Sequence, residues 1–479
     1  MNVRRIFKVL GYVLIVEAIF MLFPLIVSLI YKEFVNVKAF GISIGVLLVF
    51  GFILANIPLK RKNFFLKEGL AVAGLSWIVI SLFGAIPFMI SGAIPNFIDA
   101  FFETVSGFTT TGASVISNVE GVSKGILFWR ALTHFMGGMG ILVFLLAFLP
   151  NSDSNSIHIY SAESTGTKAS KVASKLKNAT LYLYLIYIGL TILESVLLCF
   201  DMPVFDAICH ALSTAGTGGF STFNNSIAGQ SAYVQVVITV FMFIFGINFS
   251  LYYLLLFGKA KEVFKSEELR VFVIIVIVAI LGVTIPLLSV YENFGKAFRY
   301  GAFQVLSLIS TTGFFSAEFT VWPSLCLGIL FIVMFIGSMG GSTGGGIKVS
   351  RVCIAYKMAI RDFKKTIRPN KVSLIKFDGR VIEEGEERGV RVFIILYFII
   401  LLISTLLLSV FGGNIETNLT SSLSMLSNVG PAFGEIGFSG YYGLLPAPSK
   451  IILCFDMLIG RLEILPILVM IAPSAWRFK

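Results

Sequence analysis

The stretch Val105-Ser106-Gly107-Phe108-Thr109-Thr110-Thr111-Gly112-Ala113-Ser114 decides how this chain is read. It sets hydroxyls and glycines between two long apolar runs, 68–92 before it and 124–149 after it. Irregular backbone at membrane depth survives only where it is buried in protein or lines a water-filled path, because lipid offers N–H and C=O groups no partner. The apolar segment entering it, 97–108, is too short to cross a hydrocarbon core of about 30 Å as a helix. It therefore predicts a re-entrant half-helix. The unit is membrane helix, half-helix, loop, membrane helix.

Composition supports a lipid setting. Of 479 residues, 57% are hydrophobic and only 13% charged, with a mean hydropathy of +0.92. Soluble domains carry about 25% charged residues, so the expected class is an all-α polytopic membrane protein. The first apolar run follows Arg4, Arg5 and Lys8 without a small-residue cleavage signal, which predicts a retained helix rather than a signal peptide.

The unit recurs three times. Its second copy has spans at 178–200 and 231–257 around the half-helix Val204–Thr214. The third has spans at 271–291 and 322–358 around Lys296–Ile309, and the fourth has 390–412 and 449–473 around Ile415–Ser427. Two further spans, 6–31 and 37–58, open the chain. This predicts an N-terminal hairpin (1–67), pore repeats at 68–150, 151–258, 259–359 and 390–479, and a charged cytoplasmic segment at 360–389. Aligned on one glycine each (Gly112, Gly219, Gly313, Gly430), the four loops share more than composition. Six positions earlier stand Ser106, Ser213, Ser307 and Ser424; two positions earlier stand Thr110, Thr217, Thr311 and Asn428. Asp99 and Asp206 fall in matching first turns of half-helices, where the dipole favours carboxylates. Glu103 and His210 also share an offset, nine positions before the glycine.

Such loops have a chemistry. A cation stripped of water needs oxygen ligands, and extended, glycine-permitted backbone can supply carbonyls. Half-helices aiming their C-terminal ends at the axis would add a negative potential. The competing reading, tight turns with glycine relieving strain, fits one loop but not four in register.

The net charge of +11 is topological rather than a nucleic-acid footprint: 29 of the 37 Lys and Arg fall on one side of the expected spans. By the positive-inside rule that side is the cytoplasm, and both termini lie there. The five cysteines (Cys199, Cys209, Cys326, Cys353, Cys454) form no CxxC pair, and no Ser/His/Asp, Cys/His or metal-ligand cluster appears. Catalysis has no support, nor does any covalent cofactor. The run Gly337-Ser338-Met339-Gly340-Gly341-Ser342-Thr343-Gly344-Gly345-Gly346 predicts a helix broken near mid-membrane. As a phosphate-binding loop it fails, because Lys348 does not directly follow Gly346 and no strand precedes it. Arg461 lies inside a span, where a charge faces a cavity or a partner; Glu463 and Asp456 are the candidate partners. Glu17 and Glu194 read as interhelical contacts, and His134 as a residue near the external interface.

Thr109-Thr110-Thr111-Gly112-Ala113, Thr217-Gly218-Gly219-Phe220-Ser221, Ser310-Thr311-Thr312-Gly313-Phe314 and Ser427-Asn428-Val429-Gly430-Pro431 resemble the four filter loops of the Trk/Ktr/HKT potassium transporters. The glycine run through Ile347-Lys348 and Gly460-Arg461-Leu462-Glu463 match as well. The resemblance covers 68–479, and the N-terminal hairpin favours the longer, TrkH/TrkG-like branch over the shorter Ktr branch. It implies potassium uptake through a channel-like pore in the cell inner membrane, with rubidium and sodium as further candidate ions. The potassium-binding filter would comprise Thr110, Thr111, Gly112, Thr217, Gly218, Gly219, Thr311, Thr312, Gly313, Asn428, Val429 and Gly430. It also implies an intramembrane gate of Gly340, Gly341, Gly344, Gly345, Gly346 and Arg461, a homodimer, and a cytosolic nucleotide-binding RCK ring of TrkA type. Gly218 and Val429-Gly430-Pro431 depart from the pattern and imply a less symmetrical filter. The alternative is a potassium symporter coupled to sodium or protons, since broken helices suit transporters too.

Overall fold

The structure, a computed structural model, describes residues 3–59, 66–138, 140, 173–370, 374–437, 439–464, 466, 467 and 470. The basic knot Lys60-Arg61-Lys62 and the far ends of the spans expected at 124–149 and 449–473 lie outside the described residues. Six described helices are long and apolar enough to cross a membrane: Val3–Ile30, Phe34–Ala55, Glu68–Ile90, Thr180–Leu198, Glu267–Tyr291 and Glu384–Ser409. Their outer faces carry exposed aliphatic side chains such as Leu185, Ile192, Ile285 and Leu406, as a lipid-facing surface requires.

The chain opens with α1 (Val3–Phe20) and α2 (Leu22–Ile30), packed against α3 (Phe34–Ala55). Gly11 and Gly51 make the crossing close: a side chain on Gly11 would overlap backbone of Gly51 and Ala55. Repeat one follows as α4 (Leu66–Gly84), α5 (Ile86–Ile90), the half-helix α6 (Phe97–Phe108) and α7 (Lys124–Gly138). Repeat two is α8 (Ala173–Leu198), half-helix α9 (Val204–Gly216), α10 (Ala232–Phe245) and α11 (Phe249–Leu256). After the short α12 (Ala260–Lys265) come α13 (Glu267–Tyr291), half-helix α14 (Phe294–Ile309), α15 (Ser324–Ile336) and α16 (Val349–Ile367). The fourth repeat is α17 (Glu384–Ser409), half-helix α18 (Ile415–Ser427) and α19 (Ala447–Arg461).

One expectation changes. The run 231–257 is not one span: it bends by 90° between α10 and α11. Gly246 ends α10, and the Asn248 side chain then caps α11 by accepting from Ser250 N–H at 2.9 Å, which makes a new helix start cheap. Within the charged segment 360–389, α16 runs to Ile367 and the strands Lys376–Phe377 and Arg380–Val381 pair antiparallel. Asp378 at its turn accepts the Glu267 N–H at 2.6 Å, and Arg361 pairs with Glu387 at 2.7 Å, so the segment is tied to the starts of α13 and α17.

Polar groups join the repeats. Lys450 Nζ lies 2.6 Å from Asp99, linking repeats four and one, and Lys124 lies 3.9 Å from Asp206, linking one and two. The half-helix carboxylates therefore serve neighbouring repeats as well as their own helix ends. Glu33, in the turn of the N-terminal hairpin, accepts from the backbone N–H groups of Lys124 (2.7 Å) and Gly125 (2.9 Å). It caps α7 across the molecule. Glu33→Ala should therefore cost roughly 1–2 kcal/mol, read as a lower melting temperature of the purified protein in detergent; an unchanged melting temperature would dismiss this docking role.

Candidate functional site

The four half-helices deliver their loops in one repeated backbone conformation. Thr110, Thr217, Thr311 and Asn428 all adopt left-handed φ values of 55°, 54°, 61° and 55°. Threonine resists that region, so something local must hold it. The holding bond is the same in each copy: the N–H after the left-handed residue donates to the carbonyl of the serine five positions before it. The pairs are Thr111 to Ser106 (2.9 Å), Gly218 to Ser213 (2.9 Å), Thr312 to Ser307 (2.8 Å) and Val429 to Ser424 (2.8 Å). The next residue is the aligned glycine, with φ of 81°, 77°, 81° and 97° at Gly112, Gly219, Gly313 and Gly430. No departure in sequence at Gly218, Val429 or Pro431 disturbs this path.

The glycines also locate the loops relative to one another. A Cβ on Gly112 would overlap the carbonyl oxygen of Gly218, and one on Gly219 that of Thr312. One on Gly313 would overlap the carbonyl of Val429, and one on Gly430 would press on that of Thr111. The cycle closes after four steps. The loops thus surround one axis in chain order, with carbonyls of equivalent residues at each junction, and only glycine fits both the φ and the space. Side chains lock the last junction: Asn428 Nδ2 donates to Thr111 Oγ1 at 3.0 Å and to the Met457 carbonyl at 2.9 Å. On one side of the ring lies a cavity of about 250 Å³, lined by Gly112, Gly219, Gly313, Phe220, Arg130 and Tyr441 among others.

Against the ring's other side lies the interrupted helix of repeat three. Between α15 and α16, Gly337 turns at a φ of 71°, and the segment through Lys348 runs beneath loops three and four. The Gly345 N–H donates to Thr311 Oγ1 at 2.7 Å. A side chain on Gly345 would overlap the Ser427 carbonyl, and one on Gly344 would overlap Ser338 and press on the Ser310 carbonyl. The glycines therefore let the segment lie flush against two loops. Gly340 N–H and Ser350 N–H both donate to Glu268 Oε1, at 2.7 and 3.1 Å, so one carboxylate holds both ends. Phe249 N–H donates to the Gly341 carbonyl at 3.0 Å, anchoring the segment to the bend in repeat two. Lys348 Nζ donates to the Gly344 carbonyl, and Gly346 is a further left-handed turn at φ 77°.

Arg461 reaches this place from repeat four. Its guanidinium donates to the Thr343 carbonyl at 2.7 Å and to the carbonyls of Gly137 and Gly138 at 2.6 and 2.8 Å. The expected carboxylate partners are otherwise engaged: Glu463 pairs with Arg351 at 2.5 Å, and Asp456 accepts from Ser404 at 2.6 Å. Arg461 directs its charge to carbonyls of Gly137 and Gly138 in α7 and of Thr343 in the interrupted segment. The structure thus assembles every residue singled out in the four loops, and brings Gly340, Gly341, Gly344, Gly345, Gly346 and Arg461 together beneath them.

Sequence reading missed the places of two residues and one pairing here. His134 is buried, stacked on Phe220 at 4.1 Å with Nδ1 3.2 Å from Ser213 Oγ, behind loop two. Glu268 carried no signal beyond its place in a helix start. The pair Glu103–Arg130, 2.8 Å apart, joins residues whose proximity no spacing reveals. Among the described residues, no group of three or more His, Cys, Asp or Glu could hold a metal ion.

Known proteins share this fold. The TrkH family model, described as cation transport protein, matches residues 39–479. The chain is 33% identical to the Trk system potassium uptake protein TrkH of Halomonas elongata and 34% identical to that of Salmonella typhimurium, in each case over 100% of both chains. The crystal structure of the potassium transporter TrkH from Vibrio parahaemolyticus superposes with a TM-score of 0.90 at 31% identity, covering 100% of both chains. With the family matched along nearly its whole length and the fold matched along all of it, the chain belongs to the TrkH family of cation transport proteins.

Proposed function

We propose that this protein takes up potassium across the cytoplasmic membrane through the ring of four loops. The carbonyls and hydroxyls of Thr110, Thr111, Gly112, Thr217, Gly218, Gly219, Thr311, Thr312, Gly313, Asn428, Val429 and Gly430 form the filter. The observation that carries this reading is the closed cycle of glycine-to-carbonyl contacts, which sets four equivalent carbonyls around one axis. Such rings replace an ion's water shell, and the half-helix C-termini favour a cation over an anion. The named activity of the relatives supports potassium as that cation. The segment from Gly337 to Lys348 acts as the gate, and Arg461 adds a positive barrier below the filter while fastening the gate to repeat one.

Symport is the weaker reading, because inverted repeats would put re-entrant loops on both faces, whereas these four meet in one ring. The charge bias supports both termini in the cytoplasm of a multi-pass inner-membrane protein. The family resemblance supports a homodimer working with a cytosolic nucleotide-binding RCK ring. Exposed Lys364, Lys365 and Arg368 at the end of α16 provide a basic surface for that contact and continue directly from the gate.

Rubidium uptake into liposomes under an imposed voltage should persist without any sodium or proton gradient; strict dependence on a co-ion would overturn the pore. Gly313→Ser, which forces a side chain toward the Val429 carbonyl, should lower potassium-over-sodium selectivity about tenfold, or ~1.4 kcal/mol, in competition uptake. Deleting Gly345, and with it the bond to Thr311, should raise basal flux; an unchanged flux would remove the gate assignment.

A further inference from the structure

On the cavity side of the ring stands a charge pair that ion coordination by carbonyls does not use. Glu103 on α6 and Arg130 on α7 are 1% and 2% exposed, with Arg130 Nε 2.8 Å from Glu103 Oε1. Glu103 also accepts from Ser114 Oγ, at 2.9 and 3.1 Å to its two oxygens, and from the Val115 N–H at 2.8 Å. Arg130 donates to Ser114 Oγ at 3.2 Å and to the Ser221 carbonyl at 3.4 Å, and its guanidinium lies over the Phe220 ring at 4.1 Å. Ser114 and Ser221 occupy the same place, two residues after Gly112 and Gly219. The pair therefore grips the outgoing strands of loops one and two together.

Repeat two shows that charge is not needed for this support alone. His210, at the offset of Glu103, meets Ser221 Oγ at 2.9 Å through Nε2. The matching residues of repeats three and four are the neutral Gln304 and Ser421. What sets repeat one apart is Arg130, whose guanidinium lines the cavity beside Gly112, Gly219 and Gly313. A bare guanidinium there would repel an approaching cation, and a buried charge stripped of its partner keeps its full field.

We propose that Glu103 is a positioning residue of the pore mouth that acts through Arg130: its carboxylate cancels the guanidinium's field where the cation is admitted. This rests on the filter reading of the ring. The test is the initial rate of rubidium uptake by the full-length protein in liposomes, measured against external rubidium. Glu103→Gln should raise the half-saturating concentration roughly tenfold with most of the maximal rate kept. That defect should shrink as impermeant salt is added, because screening shortens the reach of the exposed charge. The double variant Glu103→Gln with Arg130→Gln, which removes both charges, should return half-saturation to within about twofold of the unaltered protein. Glu103→Asp should behave as the parent does.

An unchanged half-saturation in folded Glu103→Gln protein would overturn the proposal. So would a double variant as impaired as the single one, or a defect indifferent to salt. Should Glu103→Gln fail to fold, the double variant and Arg130→Gln carry the test: a tenfold rise in half-saturation in either, set against the expected twofold limit, sinks the idea. Failure of the filter reading itself would show separately, as co-ion dependence in the unaltered protein.

Discussion

A peptide group inside lipid must find its hydrogen-bond partner within the protein, and the ring of four loops is organised by that demand. Each loop leaves its half-helix with a left-handed residue, and the strain is met by one N–H bonding back to a serine carbonyl. Each then presses its carbonyl against the glycine of the preceding loop. The N–H after each left-handed residue is met within its own repeat, while the loop's close packing depends on the neighbouring loop. The tight spacing and the choice of glycine both follow from four irregular segments having to share one small volume.

Much of this is written in the sequence because apolar length is a strong signal. The half-helices expected at 97–108 and Ile415–Ser427 have those bounds in the structure, and the other two differ only by a short extension at one end. The alignment on four glycines was legible because the same backbone geometry needs the same residue four times. The bend at Gly246 was not, since a single glycine in an apolar run looks like a tolerated packing residue. Arg461 was recognised as a buried charge, but its partners are carbonyls, which every residue carries and no pattern distinguishes. Glu103 and Arg130 stood in view as separate residues; only packing of α6 on α7 makes them a pair.

The repeats share a plan but not a workload. Loops three and four touch the interrupted segment, through Thr311, Ser310 and Ser427. Loops one and two instead share the buried charges at the opposite side of the ring. Thr311 and Asn428 occupy equivalent positions, yet one receives a hydrogen bond from the segment below and the other spends its amide on loop one and α19. One chain carrying four copies can divide such tasks, which four identical subunits cannot.

The junction between loops four and one has a consequence for how the molecule is made. Asn428 meets Thr111 across 317 positions of chain, and Lys450 meets Asp99 across 351. Contacts of such separation come late, after the chain between them has been synthesised and inserted. Until the fourth repeat enters the bilayer, loop one stands with a neighbour on one side only, its polar backbone awaiting the partner that completes it. Truncation near the C-terminus would therefore damage the first quarter of the pore as surely as the last, and the nascent protein has most need of protection during the interval before the circle shuts.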